Sequence, residues 1–241
     1  MKLLVDTHTH TIASGHAYSS INEMIRAAKQ IGLEMLAITE HAPAMPGSCH
    51  EFYFYNLRVL PRTYGELSLL FGTEVNILDA TGALDLPVHL LQAMDLVVAS
   101  IHPPCFDEPD DMQTVTDTYL QVMKNPYVDI IGHPDDSRFL PDYERLVRGA
   151  KETHTLLEIN NSSMRIDSFR QGARENALEY LELCKKHNVM ITTGSDAHVD
   201  LDVGNFQAVR DLLEMVDFPE HLIASTDAEK FRKAINRKRI R

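Results

Sequence analysis

The sequence predicts an α/β protein folded as one domain over residues 1–241, a closed or nearly closed, TIM-like β/α barrel of seven strands. Three observations predict it. Short β-branched runs alternate with amphipathic stretches along the chain. The runs are almost continuously apolar, as expected of parallel strands buried on both faces. No Pro/Gly-rich linker, low-complexity tract or strong repeat divides the chain, and β/α barrels reach 241 residues as single units. An open doubly wound sheet is the other architecture this pattern allows.

The strands are expected near Leu3–Asp6, Met35–Thr39, Ser68–Gly72, Leu96–Ser100, Val128–Gly132, Thr155–Ile159 and Val189–Thr193. After the first, Ser20 and Glu23 have the spacing of a capping box. Ile21, Met24, Ile25 and Ala28 then share one helical face, and Gly32 marks the stop. Further helical patterns cover Gln113–Lys124, Tyr143–Glu152, Gln171–His187, Asn205–Met215 and Asp227–Asn236. The stretch from His41 to Gly65, with Pro43, Pro46, Gly47 and Pro61, is long for a βα connection and is expected to line or cover a site.

Composition narrows the class. Lysine and arginine total 23 against 35 acidic residues, a net charge of −12, which disfavours broad nucleic-acid binding. An anionic substrate would need local attraction, which metal ions can supply. Arg232, Lys233, Arg237, Lys238, Arg239 and Arg241 form a basic C-terminus, read as cations near the negative end of a last helix. No apolar run approaches a membrane span, and Met1-Lys2-Leu3-Leu4-Val5-Asp6 does not read as a signal peptide, so a cytoplasmic protein is expected. The odd cysteine count (Cys49, Cys105, Cys184) suits a reducing compartment, and Cys105 lies close to a candidate ligand histidine.

The histidines carry the functional signal. Loops of about five residues after seven strands make up roughly a seventh of the chain, so chance would place about two of the twelve histidines there. Six fall there: His8, His10, His41, His102, His133 and His198. Active sites of β/α barrels lie at this carboxyl face, where residues distant in sequence converge. In Asp6-Thr7-His8-Thr9-His10 the two imidazoles share one parity of an extended segment and can reach one ion, with Asp6 placed to orient a ligand. Glu74 follows the third strand, and its two oxygens can bridge two ions as no imidazole can. Asp196 and His198 repeat the same-face pairing after the last strand. With His16 these make nine candidates, more than one tetrahedral zinc needs, which argues for two or three metals. Imidazole and carboxylate donors suit zinc, manganese or iron. His50, His89, His154, His187 and His221 have no partner spacing and read as structural or solvated.

Taken in order, Asp6-Thr7-His8-Thr9-His10, His16, Thr39-Glu40-His41, Gly72-Thr73-Glu74-Val75-Asn76, Ser100-Ile101-His102, Gly132-His133-Pro134, Glu158-Ile159-Asn160-Asn161 and Gly194-Ser195-Asp196-Ala197-His198 resemble the PHP (polymerase and histidinol phosphatase) family, most of all its small bacterial YcdX-type phosphatases. The resemblance spans essentially the whole chain. It implies a distorted (β/α)7 barrel with three divalent metals, commonly zinc and sometimes manganese or iron. The first would be held by His8, His10, Glu74 and Asp196. Glu74 would bridge to the second with His102 and His133, and His16, His41 and His198 would hold the third. Two departures stand out: Glu40 where the family often has Asp, and Pro103-Pro104-Cys105 after His102, a segment variable in the family that bears on specificity.

The activity implied is hydrolysis of a phosphomonoester. A metal lowers the pKa of bound water from about 16 to about 7, so a hydroxide bridging the first two ions could attack phosphorus while the third holds a phosphate oxygen. Glu74 and Asp196 are the catalytic carboxylates on this reading. Arg165, shortly after the sixth strand, is the expected phosphate clamp. Phosphodiester or nuclease activity and a non-catalytic metal-binding module are the alternatives. The acidic balance and the lack of an added nucleic-acid-binding domain weigh against the first, the complete donor set against the second. The expected partner is a small phosphorylated substrate; membrane association is not expected, and a homo-oligomer stays open.

Overall fold

The computed structural model describes the backbone of residues 1–239 and the side chains of 1–235. The side chains of Arg237, Lys238, Arg239 and Arg241, where the sequence places its basic cluster, lie outside them. Among the described residues the strands are β1 (Val5–Asp6), β2 (Met35–His41), β3 (Thr63–Tyr64), β4 (Leu67–Asn76), β5 (Val97–Ser100), β6 (Ile130–Ile131), β7 (Leu156–Asn160) and β8 (Ile191–Gly194). β1, β2, β4, β5, β6, β7 and β8 pair in that order and all parallel.

The sheet curls until its ends meet. Near the carboxyl ends the Asp196 amide donates to the His8 carbonyl and the His10 amide to the Ala197 carbonyl, each at 2.9 Å. At the other end residues 223–225 wedge into the seam: Ile223 bridges to Ile191, and the Leu4 amide donates to the Ser225 carbonyl. The seven-stranded barrel is thus distorted, tight at the mouth and opened by an inserted segment at the base. Antiparallel β3, which pairs only with β4 through a hairpin at Gly65-Glu66, was not anticipated.

The helices are α1 (Ile21–Ile31), α2 (Glu51–Asn56), α3 (Val88–Ala93), α4 (Met112–Met123), α5 (Tyr143–Thr153), α6 (Asn161–Met164), α7 (Ala173–His187), α8 (Gln207–Met215) and α9 (Ala228–Arg239). α1 starts and stops where its sequence signals lie: the Glu23 carboxylate accepts from the Ser20 amide at 2.7 Å, and Gly32 caps the end. Its Met24, Ile25 and Ala28 are buried against the sheet. Full burial of a side chain the size of Met24 or Ile25 contributes roughly 1.5–3 kcal/mol. The segment 41–65 is less irregular than its prolines suggest, since it contains α2 and leads into β3.

Inside the barrel the strands share one alternation. Met35 and Ala37, Leu70, Leu96 and Val98, Ile130 and Leu156 form a buried apolar cluster with Val5 and with Phe231, Ala234 and Ile235 of α9. Two to four residues further along the same faces stand His41, Glu74, Ser100, His102 and Glu158, also buried. One face of each strand therefore builds an apolar floor and, above it, a polar mouth.

Candidate metal centre

Nine side chains from six different strand ends converge at this mouth, the nine singled out in the sequence. Glu74 stands at the centre, and its two oxygens face different partners. Oε1 lies 3.0 Å from His133 Nε2 and 3.4 Å from His102 Nε2, and it accepts from the Ser100 hydroxyl at 2.6 Å. Oε2 lies 2.7 Å from His41 Nδ1, 3.3 Å from His8 Nε2 and 3.5 Å from His10 Nε2. Asp196 Oδ1 completes that second group, 3.4 Å from His10 Nε2 and 3.8 Å from His8 Nε2. Toward solvent, the His16 ring stacks 4.8 Å from His41 and 5.0 Å from His198, and His198 lies 4.5 Å from His10.

These donors fit divalent ions on chemical grounds. His8 Nδ1 sits 2.8 Å from Glu158 Oε1, which can only accept, so Nδ1 carries the proton and the Nε2 lone pair points at Glu74. His198 Nδ1 is likewise 2.9 Å from the Asp196 carbonyl oxygen, leaving its Nε2 open. His8 Nε2, His10 Nε2, His41 Nδ1 and Glu74 Oε2 are all buried with no hydrogen-bond partner, although His41 and Glu74 approach to 2.7 Å. Lone pairs facing one another in a buried space need a cation between them. Three donor triads are close enough to share one: His10, His41 and His198; His8, His10 and Glu74; His41, Glu74 and His102.

Without an ion, the carboxylates compete for the same imidazoles. Burial opposes charging of His8, yet Glu158, Glu74 and Asp196 outweigh it and raise its pKa well above the usual value. Burial and the neighbouring His41 and His198 hold His10 well below its ordinary value and push His16 down to about 4. Burial alone would raise Glu74 and Asp196, but their histidine neighbours hold both carboxyls well below the usual range. Acid and imidazole neighbours thus pull in opposite directions: three carboxylates draw His8 toward its charged form, while His10 and His16 are held toward the neutral form.

Backbone conformation aims two of the nine. His133 and Asp196 adopt φ of 28° and 55°, a region disfavoured for residues with side chains and often found at functional sites. Two glycines leave room: a Cβ on Gly194 would overlap Glu158 Oε1 and the His8 side chain, and one on Gly132 would overlap Ser100 Oγ.

Arg165 is not brought to this cluster. It lies on the surface paired with Asp167 at 3.0 Å and Asp202 at 3.5 Å. The guanidinium that reaches the ligands belongs to Arg170, buried, with Nη1 3.2 Å from Asp196 Oδ2 and from Ser163 Oγ. A cavity of about 560 Å³ opens over the cluster, with Arg138, Arg170, Met45, Pro103, Pro104 and Phe169 around its walls. The sequence reading gave no role to Arg170, Arg138 or Ser14. Glu158 was open to detection, since it lies on β7 at the inward parity. The five histidines read as structural stand apart; His187 pairs with Glu144 at 2.9 Å and His50 caps α2.

Comparison with known proteins bears on this geometry. A probable phosphatase of Acetivibrio thermocellus is 46% identical over 241 residues, covering 100% of this chain and 98% of the relative. Among solved structures, histidinol phosphate phosphatase from Lactococcus lactis, crystallised with zinc, L-histidinol and phosphate, superposes with a TM-score of 0.65 at 18% identity, covering 91% of this chain and 95% of the other. A chain of archaeal ribonuclease P with mature tRNA superposes at 0.61 and 14% identity, over 98% of this chain and 91% of the other. Identities this low show a common fold alone. The PHP domain profile matches residues 6–191, and together with the full-length relative it settles that the chain belongs to the PHP domain family.

Proposed function

We propose that this protein is a metal-dependent phosphatase acting on small phosphomonoesters, with three divalent ions, zinc in the first instance, held by His8, His10, His16, His41, Glu74, His102, His133, Asp196 and His198. The observation that carries the proposal is the division of labour at Glu74, whose Oε2 faces His8 and His10 while Oε1 faces His102 and His133. A carboxylate so placed can serve two ions at once. The names of full-length relatives, probable phosphatases, support the same reading.

Bound divalent ions would supply an activated water at neutral pH and neutralise phosphoryl oxygens. The chain's own groups do the rest. Arg170, already desolvated, offers donors to the phosphate from the side of Asp196, and Arg138 adds a second positive charge at the wall. We assign to Arg170 the clamping role that the sequence suggested for Arg165. Both arginines counter locally a chain whose net charge of −12 would repel a phosphate ester. Met45, Pro103, Pro104 and Phe169 offer the leaving group an apolar wall, and a cavity of about 560 Å³ is sized for a small molecule.

The test is hydrolysis of p-nitrophenyl phosphate and bis-p-nitrophenyl phosphate by protein loaded with zinc, manganese or iron. The monoester should be the better substrate, with turnover dependent on metal. Preference for the diester would favour the phosphodiesterase reading, and metal-loaded protein inert toward both would sink the catalytic one.

A further inference from the structure

Two acids that do not themselves face the donor cluster, buried Glu40 and half-buried Asp85, are joined to it through neutral side chains. The Glu40 carboxylate, fully buried, accepts from the Thr11 amide at 3.0 Å, the Thr11 hydroxyl, the Ser14 hydroxyl at 2.6 Å and the Tyr53 hydroxyl at 3.2 Å. Ser14 has one proton and two lone pairs. The proton goes to Glu40. One lone pair takes the His41 amide at 3.0 Å, and the other faces His10 Nδ1 at 3.2 Å. With its proton committed, Ser14 can only accept from His10.

Asp85 repeats the arrangement on the other side of Glu74. Its carboxylate accepts from the Asn76 amide at 2.8 Å, the Asn76 side-chain nitrogen at 2.6 Å and the Ala44 amide at 2.9 Å. The Asn76 NH2 also reaches the Ala42 carbonyl at 3.3 Å. The amide donors are spent, so the side-chain oxygen is what meets His102 Nδ1 at 2.8 Å.

We propose that Glu40 and Asp85 are positioning residues that set the tautomer of two ligand histidines through a neutral intermediary: Glu40 through Ser14 on His10, and Asp85 through Asn76 on His102. In both cases Nδ1 holds the proton and Nε2 turns its lone pair to the cluster, 3.5 Å from Glu74 Oε2 for His10 and 3.4 Å from Glu74 Oε1 for His102. The intermediary has a physical purpose. A carboxylate placed directly on an imidazole, as Glu158 is on His8 at 2.8 Å, favours its charged form. A hydroxyl or amide passes on the direction of the hydrogen bond without that charge, and the mouth already holds Glu74, Asp196 and Glu158.

The inference rests on reading the cluster as a metal centre, but its main test needs no metal. In metal-free protein labelled with 15N-histidine, long-range 1H–15N spectra report which ring nitrogen carries the proton, with signals assigned from His10→Gln and His102→Gln. Wild type should show both rings protonated at Nδ1. Ser14→Ala removes the acceptor, so the His10 proton should move to Nε2, where Glu74 and Asp196 can accept it. Zinc affinity, read by competition with a chromophoric chelator, should fall about 10- to 100-fold.

Glu40→Gln should keep the wild-type tautomer at His10. The Thr11 amide can only donate, which holds the glutamine oxygen toward Ser14. Asp85→Ala frees the Asn76 amide to flip and should move the His102 proton alone, an independent arm should Ser14→Ala fold poorly. Nε2 protonation in wild type, or unchanged tautomers in Ser14→Ala and Asp85→Ala, would overturn the proposal. Wild-type protein that shows the expected tautomers but binds no zinc would instead overturn the metal reading.

Discussion

The two ends of this barrel are built from the same strands and solve opposite problems. At the base, Met35, Leu70, Val98, Ile130 and Leu156 meet Phe231 and Ile235 in an apolar plug. At the mouth, two to four residues further along, His41, Glu74, His102 and Glu158 occupy the same inward faces, and His41 Nδ1 and Glu74 Oε2 are buried there without a hydrogen-bond partner. The base gains from excluding water. The mouth, left to itself, stores cost: buried carboxylates, crowded imidazoles, and φ of 28° and 55° at His133 and Asp196. Stability and function are thus separated along the strand axis, and substitutions at the two ends should fail in different ways.

The largest contrast is expected between Glu74→Ala and Phe231→Ala. Loss of Glu74 should abolish turnover and release metal while the apolar plug keeps the fold, so circular dichroism should remain native. Loss of the Phe231 ring should cost about 3–5 kcal/mol in urea unfolding, with metal-loaded protein still active at low temperature. A Glu74→Ala protein that unfolds, or a Phe231→Ala protein that is folded but inactive, would blur the division.

Chelation sharpens it next. Ions that bind only the folded mouth stabilise by mass action, about 2.7 kcal/mol at a hundred times the dissociation constant. EDTA should therefore lower the melting temperature of wild type and of Phe231→Ala alike, and hardly alter Glu74→Ala. Gly194→Ala should be milder: its methyl would push Glu158 and His8 apart, so zinc affinity should drop about 10- to 100-fold, and overpacking should take about 1–3 kcal/mol from the metal-free protein. Arg170→Ala should lower kcat/KM for a phosphomonoester about 10- to 100-fold, the size expected for a lost hydrogen bond to a charged group. Arg165→Ala, at the surface, should be close to silent.

How much of this was legible in the sequence differs between the ends in the same way. Near-continuous apolar runs locate every strand of the barrel, because strands buried on both faces obey the rule that buried means hydrophobic. They also stop β2 at Thr39 and β4 at Gly72, whereas β2 runs to His41 and β4 to Asn76, with His41 and Glu74 in register on adjacent strands. Polar residues mimic a loop when the buried face is lined by donors. Position relative to strands singles out eight of the converging side chains, whereas His16, outside any strand end, enters through the resemblance. Arg165 was singled out because it follows its strand shortly in sequence, and Arg170, five residues on, was not. The chain turns back between them, the Ser168 amide meeting the Arg165 carbonyl at 3.1 Å, and nothing in linear spacing records that return. Hairpin strand β3 and helix α3 are too short for periodicity to register.

The central claim is that Glu74 is shared between two cations, and anomalous diffraction from crystals grown with zinc tests it most directly. Separate peaks about 2.0–2.2 Å from each Glu74 oxygen are predicted, one beside His8 and His10 and the other beside His102 and His133. A single peak, or density at neither oxygen, would contradict it.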